Sequence, residues 1–308
     1  MMRISVVILN HNRPDLVLRC LEHIERAAAL IAGAVLVDII VVDNASTDGS
    51  AETIKMAYPR IAVIESPVNG GYASGNNLAL KRIFHELPAG ADLRSRAALL
   101  LNSDCFLNPD ALAYLSRFLD QHPAAGVVGP KLTLASGTLD LACRRSFPTP
   151  ANAFWKLTGL SLLFPGNRRF ARYNLTYRDP NETYEVDAVS GACMLVRLAA
   201  VYDAGLLDEA FFMYGEDLDW CFRIKEAGWK VFYHPSARAL HVKGASSSRR
   251  SQRLIFEFYR AMYLFHRKHY SAGTAAPLNW LILAGIISRG ALALARNLLR
   301  PGRIKRSA

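Results

Sequence analysis

Over its first hundred residues the chain alternates between continuous apolar runs and stretches with helical spacing. Residues 4–9, 37–42, 61–65 and 97–101 are Val-, Ile- and Leu-rich runs that read as strands buried on both faces. Between them, residues 15–32, 50–58 and 74–86 read as helices. This alternation predicts an α/β fold, a mostly parallel Rossmann-like sheet with helices on both faces. Ligands of such sheets bind beyond the carboxyl ends of the strands. Those ends are polar four times over: Asn10-His11-Asn12, Asp43-Asn44-Ala45-Ser46, the segment from Asn69-Gly70-Gly71 to Asn77, and Asn102-Ser103-Asp104. Asn, Asp, Ser and Gly also make ordinary turns and N-caps, which accounts for any one of these loops. Four in register favour a shared crevice.

The pattern weakens afterwards. Residues 126–175 hold apolar pieces with little periodicity, and 187–196 is a further apolar run. Aromatic residues at 211–214 lead through Gly215-Glu216-Asp217-Leu218-Asp219-Trp220 into a helix ending near Gly228, followed by a short strand at 231–233. A polar, Ser-rich break at 245–248 divides the chain into a catalytic-sized domain, 1–248, and a tail, 249–308, with two helical segments.

Composition is globular: 51 % of the 308 residues are apolar and 20 % charged, enough for a sizeable core. The net charge of +11 is uneven, because 249–308 hold 12 Lys and Arg and a single acid, Glu257, leaving 25 of each sign before it. A nucleic-acid binder could carry such a tail, as could a chain that meets anionic lipid. The five cysteines match no zinc ribbon and no redox pair, and read as buried thiols of a reducing compartment. The N-terminus begins directly with a strand and lacks signal-peptide features, so the expected location is cytoplasmic.

Several residues are candidates for chemistry. Asp104, at a strand end, could hold a divalent cation bridging a diphosphate, or cap the helix that starts near Pro109. Adjacent Glu216 and Asp217 raise each other's pKa and can supply a general base; acids at a helix N-terminus are also favoured by its dipole. His241 is either structural or a ligand, and Lys243 either meets phosphate or is solvated. The glycines of 69–77 fit neither G-x-G-x-x-G nor a P-loop, which argues against a dinucleotide fold or an NTPase but permits close backbone approach to a ligand.

In order and spacing, these motifs resemble the family 2 inverting glycosyltransferases, in particular the rhamnosyltransferase-like branch. The resemblance runs from Ile4 to Ser248 through Leu9-Asn10-His11-Asn12, Val42-Asp43-Asn44-Ala45-Ser46-Thr47-Asp48-Gly49, Asn69-Gly70-Gly71-Tyr72, Asn102-Ser103-Asp104, Ser190-Gly191-Ala192-Cys193, Gly215-Glu216-Asp217-Leu218-Asp219-Trp220 and His241. It implies a GT-A type nucleotide-diphospho-sugar transferase fold followed by C-terminal helices. Asp43 would contact the nucleotide base, with Leu9, Asn10 and His11 lining that pocket. Asn69, Gly70, Gly71 and Asn77 would shape the donor site together with Asn102 and Ser103, Gly191 and Ala192 would lie by the sugar, and Trp220 would be a further substrate-binding residue. Asp104 and His241 would bind the divalent metal, Mn2+ or Mg2+. Asp217 would be the catalytic base, oriented by Glu216. The family's Asp-x-Asp is here Asn102-Ser103-Asp104, so one carboxylate is missing and the donor diphosphate must supply more of the coordination.

The implied partners are a nucleotide-diphospho-sugar, dTDP-L-rhamnose among the candidates, and a glycan or polyprenyl-linked acceptor in cell-surface polysaccharide synthesis; nucleic acid is not expected. A sugar nucleotidyltransferase would want a basic, glycine-rich signature after the first strand, which Asn10-His11-Asn12 does not provide. A non-catalytic, membrane-attached sugar-nucleotide binder is the other alternative, and intact Asp104, Asp217 and His241 argue against it. In the tail, residues 278–299 read as a helix with Arg289, Arg296 and Arg300 on one face and Trp280, Leu283, Ile287, Leu294 and Leu298 on the other. That pattern, with Arg303, Lys305 and Arg306 beyond it, suits a helix lying on the cytoplasmic face of an anionic membrane; a helix docked on the catalytic domain is the alternative.

Overall fold

The computed structural model describes residues 1–244 and 252–299; the Ser-rich break at 245–248 and the cations Arg300, Arg303, Lys305 and Arg306 lie outside the described residues. The first part of the chain supplies β1 (Met2–Asn10), α1 (Pro14–Ala29), β2 (Val35–Asp43), α2 (Ser50–Ala57), β3 (Ala62–Glu65), α3 (Gly71–His85) and β4 (Arg96–Asn102). The next part supplies β5 (Cys105–Leu107), α4 (Ala111–Gln121), β6 (Ala125–Leu134), α5 (Pro150–Leu157), α6 (Leu160–Leu163), β7 (Tyr184–Val186), β8 (Cys193–Arg197), α7 (Leu198–Ala204), α8 (Glu216–Glu226) and β9 (Lys230–His241). The tail adds α9 (Gln252–His269) and α10 (Ala276–Leu299).

Among the described residues nine strands form one sheet, ordered β3-β2-β1-β4-β8-β6-β9-β5, with β7 on β9. The half predicted from apolar runs is parallel: β1 pairs with β2 and β4, and β2 with β3. Ile4, Val6, Val7 and Ile8 are fully buried, as a strand covered on both faces requires. Helix α1 turns Leu16, Val17, Cys20, Leu21, Ile24 and Ala27 inward at helical spacing, with a proline in its first turn. The register places Asn10 beside Asp43 and Leu9 beside Asn102, so the polar strand ends form one edge.

The other half is mixed rather than parallel. β8 runs antiparallel to β4 and β6, while β6 and β9 are parallel. Strand β9 is also far longer than the three residues expected from sequence. A register shift between Pro130 and Lys131 absorbs the residues around Pro235 as a bulge, and pairing resumes to His241. Leu101 pairs with Cys193, and Cys105 with His241, so the turn at Asn102–Asp104 meets both the start of β8 and the end of β9.

Helix α9 docks on α8. Ala261 and Phe265 are buried; the Phe265 ring lies 5.9 Å from that of Phe222, and Lys268 and His269 reach Asp219 at 2.8 Å each. Helix α10 leans on α9, where a Cβ at Gly290 would stand 3.2 Å from the Tyr259 ring and His266 meets Asn279 at 2.7 Å. The rest of α10 is open: Trp280 and Leu281 are among its exposed residues, and the helix is long and apolar enough to cross a membrane.

Candidate active site

The parallel half builds a pocket from hydrogen bonds given by uncharged amide, hydroxyl and backbone donors of its loops. Asp43 accepts from the Asn10 amide at 2.7 Å and from the Ser46 backbone at 3.0 Å and hydroxyl at 2.6 Å. Asn44 donates to Asn69 at 3.0 Å and to the Gly71 carbonyl at 3.1 Å, and its oxygen accepts from the Gly70 N–H at 3.2 Å. His11 Nδ1 meets the Asn44 carbonyl at 3.0 Å. Asn12 and Ala45 hold positive φ, at 56° and 57°; Asn12 is fixed by its N–H bond to the Ser46 hydroxyl at 2.9 Å and by the Thr47 N–H bond to its side chain at 2.7 Å. Leu9 packs where Gly75 leaves room, since a Cβ there would sit 2.3 Å from it.

The glycine-rich stretch is less of a loop than the sequence suggests, because α3 begins at Gly71 and not at Ser74. Gly71 has φ +81°, and a Cβ on it would lie 2.0 Å from the Phe212 carbonyl, which also accepts from the Tyr72 N–H at 2.7 Å. This seam ties the parallel half to the segment before α8.

At the end of β4, the Asn102 N–H donates to the Ala192 carbonyl at 3.0 Å, and the Val242 N–H to the Asp104 carbonyl at 2.8 Å. Ser103 and Asp104 are buried. His241 Nε2 faces Asp104 Oδ1 at 3.6 Å, beyond hydrogen-bond length, while its Nδ1 meets Asp140 Oδ2 at 2.9 Å. Burial opposes a charge on His241, but Asp104 and Asp140 outweigh it and raise the imidazole to about 9. A carboxylate that orients one ring nitrogen while the other faces a second carboxylate is an arrangement that suits a divalent ion. Among the described residues no three His, Cys, Asp or Glu side chains converge to hold a metal, so a diphosphate would have to complete the coordination.

Glu216 and Asp217 open α8. Asp217 Oδ2 accepts from Arg145 at 2.6 Å and from the Gly191 N–H at 3.1 Å; its Oδ1 accepts from the Leu218 N–H at 2.8 Å. Arg145 also donates to the Val189 carbonyl at 2.8 Å. Glu216 is different: it is buried, and its Oε2 has no hydrogen-bond partner among the described residues. Burial, then the neighbouring Asp217 charge, pushes its carboxyl up to about 8. Asp217, 13 % exposed, is the more accessible member of the pair. The Tyr72 hydroxyl donates to the Gly191 carbonyl at 2.6 Å, and a Cβ on Gly191 would stand 2.9 Å from it.

Two expected substrate contacts stand elsewhere. Trp220 is fully buried and donates to the Gly205 carbonyl at 2.8 Å, so it has no surface to offer a sugar. Asn77 is buried with its amide bound to Leu207 and Glu209, and it fastens α3 to the segment before α8. Sequence reasoning missed Asp140, Arg145 and the loop-linking hydrogen bonds of Asn44. Asn44 lay within a motif already singled out; Asp140 and Arg145 lie in the aperiodic 126–175 stretch, where nothing marks them.

Comparison with known proteins agrees with this geometry. A family model described as glycosyltransferase like family 2 matches residues 2–258. An N-acetylglucosaminyl-diphospho-decaprenol L-rhamnosyltransferase of Mycobacterium tuberculosis H37Rv is 28 % identical over 92 % of this chain and 91 % of its own. The rhamnosyltransferase WbbL of Escherichia coli K12 is 25 % identical over 77 % of this chain and 83 % of its own. Among solved structures, Staphylococcus aureus TarS 1–349 in complex with UDP-GlcNAc superposes with a TM-score of 0.55 at 19 % identity, covering 94 % of this chain and 72 % of that one. The Pyrobaculum calidifontis mannosyltransferase PcManGT, in complex with GDP-Man and Mn2+, gives 0.53 at 16 % identity, covering 96 % and 72 %. These neighbours share the GT-A fold. The chain belongs to glycosyltransferase family 2 and is a glycosyltransferase.

Proposed function

We propose, from that membership, that the enzyme transfers L-rhamnose from dTDP-L-rhamnose to a polyprenyl-diphosphate-linked glycan, with inversion at the anomeric carbon, in cell-surface polysaccharide synthesis. The observation that carries this reading is a short chain of contacts. Asp217 accepts from the Gly191 N–H, and the adjoining Ala192 carbonyl accepts from the N–H of Asn102, two residues before Asp104. A basic group for the acceptor and a carboxylate for the diphosphate thus flank Gly191 and Ala192. The donor sugar and acceptor follow the names of the relatives.

In the proposed reaction Asp217 takes the proton of the acceptor hydroxyl. The hydroxyl oxygen bonds to the anomeric carbon as the bond to the diphosphate breaks, and dTDP leaves. Asp43, Asn10 and His11, with Leu9, cradle the base; Asn69, Gly70 and Gly71 shape the donor site. Asp104 and His241 would hold a divalent ion, Mn2+ fitting the imidazole somewhat better than Mg2+, which when bound neutralises charge developing on the diphosphate. Glu216, whose carboxyl burial and the Asp217 charge push up to about 8, backs Asp217 mainly in its protonated form near neutral pH. We place the enzyme on the cytoplasmic face of the membrane, with 1–248 as the transferase domain and the tail, through α10, as a membrane contact.

Calorimetry with dTDP-L-rhamnose, UDP- and GDP-sugars, with and without Mn2+, tests the reading. Metal-dependent binding of the dTDP sugar, lost in Asp104→Ala, is the expected result. Equal binding with and without metal sinks the metal site, a preference for UDP or GDP sinks the donor, and binding without turnover on any polyprenyl-linked acceptor leaves only a sugar-nucleotide binder.

A further inference from the structure

Between Asp140 and Asp179 the chain carries seven Lys and Arg and no acid, a local imbalance hidden in a body whose overall charge is balanced. Arg144 and Arg145 are buried, but Lys156, Arg168, Arg169, Arg172 and Arg178 reach the surface. Within the same stretch Phe154, Leu162, Leu163 and Phe164 are 52, 81, 72 and 51 % exposed. Residues 162–169 form an unbroken exposed run, Leu-Leu-Phe-Pro-Gly-Asn-Arg-Arg. Scattered single apolar residues on a surface need no explanation; four large ones within eleven positions, edged by cations, do.

The root of this segment is firmly built. Thr149 caps α5 by accepting from the Asn152 N–H at 3.2 Å, and the Asn152 amide donates to Ser146 at 3.2 Å and the Phe147 carbonyl at 3.1 Å. Ser146 in turn donates to the Arg172 carbonyl at 3.0 Å. Above the root, Trp155 packs on Phe170 with centroids 4.9 Å apart, and Arg169 covers the Trp155 ring at 5.2 Å. Leu162 and Leu163 of α6 stand exposed beyond this cluster, and Phe164 touches its edge at Phe170, 5.8 Å between centroids, while remaining half exposed. Ser146 directly follows Arg145, the residue that grips Asp217, so the root adjoins the acceptor side of the site.

We propose that 154–169 is a membrane-insertion element whose occupant is an anionic phospholipid bilayer. Leu162, Leu163 and Phe164 enter the acyl boundary, and Arg168 and Arg169 meet lipid phosphates. The charge pattern selects this occupant: a protein partner for the apolar tip gives no reason for a 38-residue stretch without one acid, whereas an anionic surface does. The contact is separate from α10 and depends neither on the donor nor on Asp217. Its use, to hold a lipid-borne acceptor beside Asp217, rests on the function proposed above.

The test uses the full chain. All five native cysteines are buried, so a fluorophore on Leu163→Cys is selective, and Met56→Cys on α2, 77 % exposed, serves as the comparison. With phosphatidylglycerol-containing vesicles, the label at 163 should shift to the blue and escape aqueous iodide, and the label at 56 should not. Arg168→Glu with Arg169→Glu should weaken vesicle binding by at least about tenfold and leave turnover of a water-soluble, short-chain acceptor unchanged. The proposal is overturned if the protein binds vesicles while the 163 label stays quenchable, if the double variant binds as tightly as the parent, or if binding is equal on pure phosphatidylcholine. Loss of soluble-acceptor turnover in the parent protein would strike the proposed reaction and not this surface.

Discussion

On the β3-β2-β1-β4 side, site residues are held by hydrogen bonds from uncharged amide and hydroxyl donors in and between neighbouring loops: Asn10 and Ser46 to the Asp43 carboxylate, Asn44 to Asn69. On the β8-β6-β9 side they are held by charge across long stretches of chain. Arg145 reaches Asp217 over 72 positions, and Asp140 reaches His241 over 101. The first arrangement suits a pocket shaped by amide and hydroxyl donors around one carboxylate, Asp43. The second suits groups that move protons or meet ions, whose orientation and charge state must be fixed before the substrate arrives.

The sharpest way to separate the halves is Asp217→Asn. If the base belongs to the charged half alone, kcat should fall by about 10³-fold, within the range for removing a general base, while the dTDP-sugar Kd changes by no more than about twofold. Single-turnover rates with calorimetric Kd values check this. A parallel loss of donor binding would mean that the halves do not divide the labour.

Arg145→Met should follow in size. It strands Asp217 beside Gly191 without its partner, and breaking a nearly buried pair on one side costs about 3 kcal/mol. Both side chains keep a little exposure, 10 and 13 %, which lowers that figure somewhat. Urea unfolding measures it, and the donor Kd should again hold. Gly71→Ala breaks the seam between the halves. It forces a non-glycine residue to φ +81° and drives a methyl into the Phe212 carbonyl, a penalty of about 2–3 kcal/mol. Unlike the first two variants it should raise the donor KM and lower kcat together, read from initial rates.

The same contrast explains what the amino-acid sequence disclosed. The parallel half was legible because buried parallel strands announce themselves as apolar runs, and a ligand crevice of an α/β sheet has a fixed place relative to them. Asn10, Asp43, Asn69, Gly70 and Asn102 could be found by standing at each strand end. In the other half, β9 was read only over 231–233; Pro235, which would ordinarily end a strand, sits here in a bulge, and pairing resumes beyond it. Trp220 stood in a motif with Asp217 and lies on a neighbouring part of the same helix, three residues on, but the motif does not disclose that the carbonyl of Gly205 takes its indole N–H and that the core closes over it. Arg145 and Asp140 were invisible because an ion pair closed over so many positions leaves no local spacing to read. The acid-free stretch after Asp140 was visible in principle, but an overall balance taken across 1–248 averages it away.

Asp219→Asn tests whether the charged half extends to the tail, and its effect should be the smallest. Asp219 is fully buried, and three nitrogen donors close on it: Arg223 at 2.9 Å from its own helix, and Lys268 and the His269 imidazole at 2.8 Å each from α9. Burial alone would raise its pKa; the bonds from His269, Lys268 and Arg223 overcome this and bring it from 3.8 down to about 2. A folded-state value below the unfolded one means a stabilisation that is complete above about pH 4 and is lost as the pH falls through about 2. The shift corresponds to about 2 kcal/mol. The variant should therefore be less stable than the parent by about that amount at pH 7, with the gap narrowing below pH 4 and closing near pH 2. Denaturant unfolding across that range supplies both curves. A gap that persists unchanged at low pH would show that Asp219 acts by shape and not by charge, and α9 would then be a packed neighbour of α8 with no part in the electrostatic framework around Asp217.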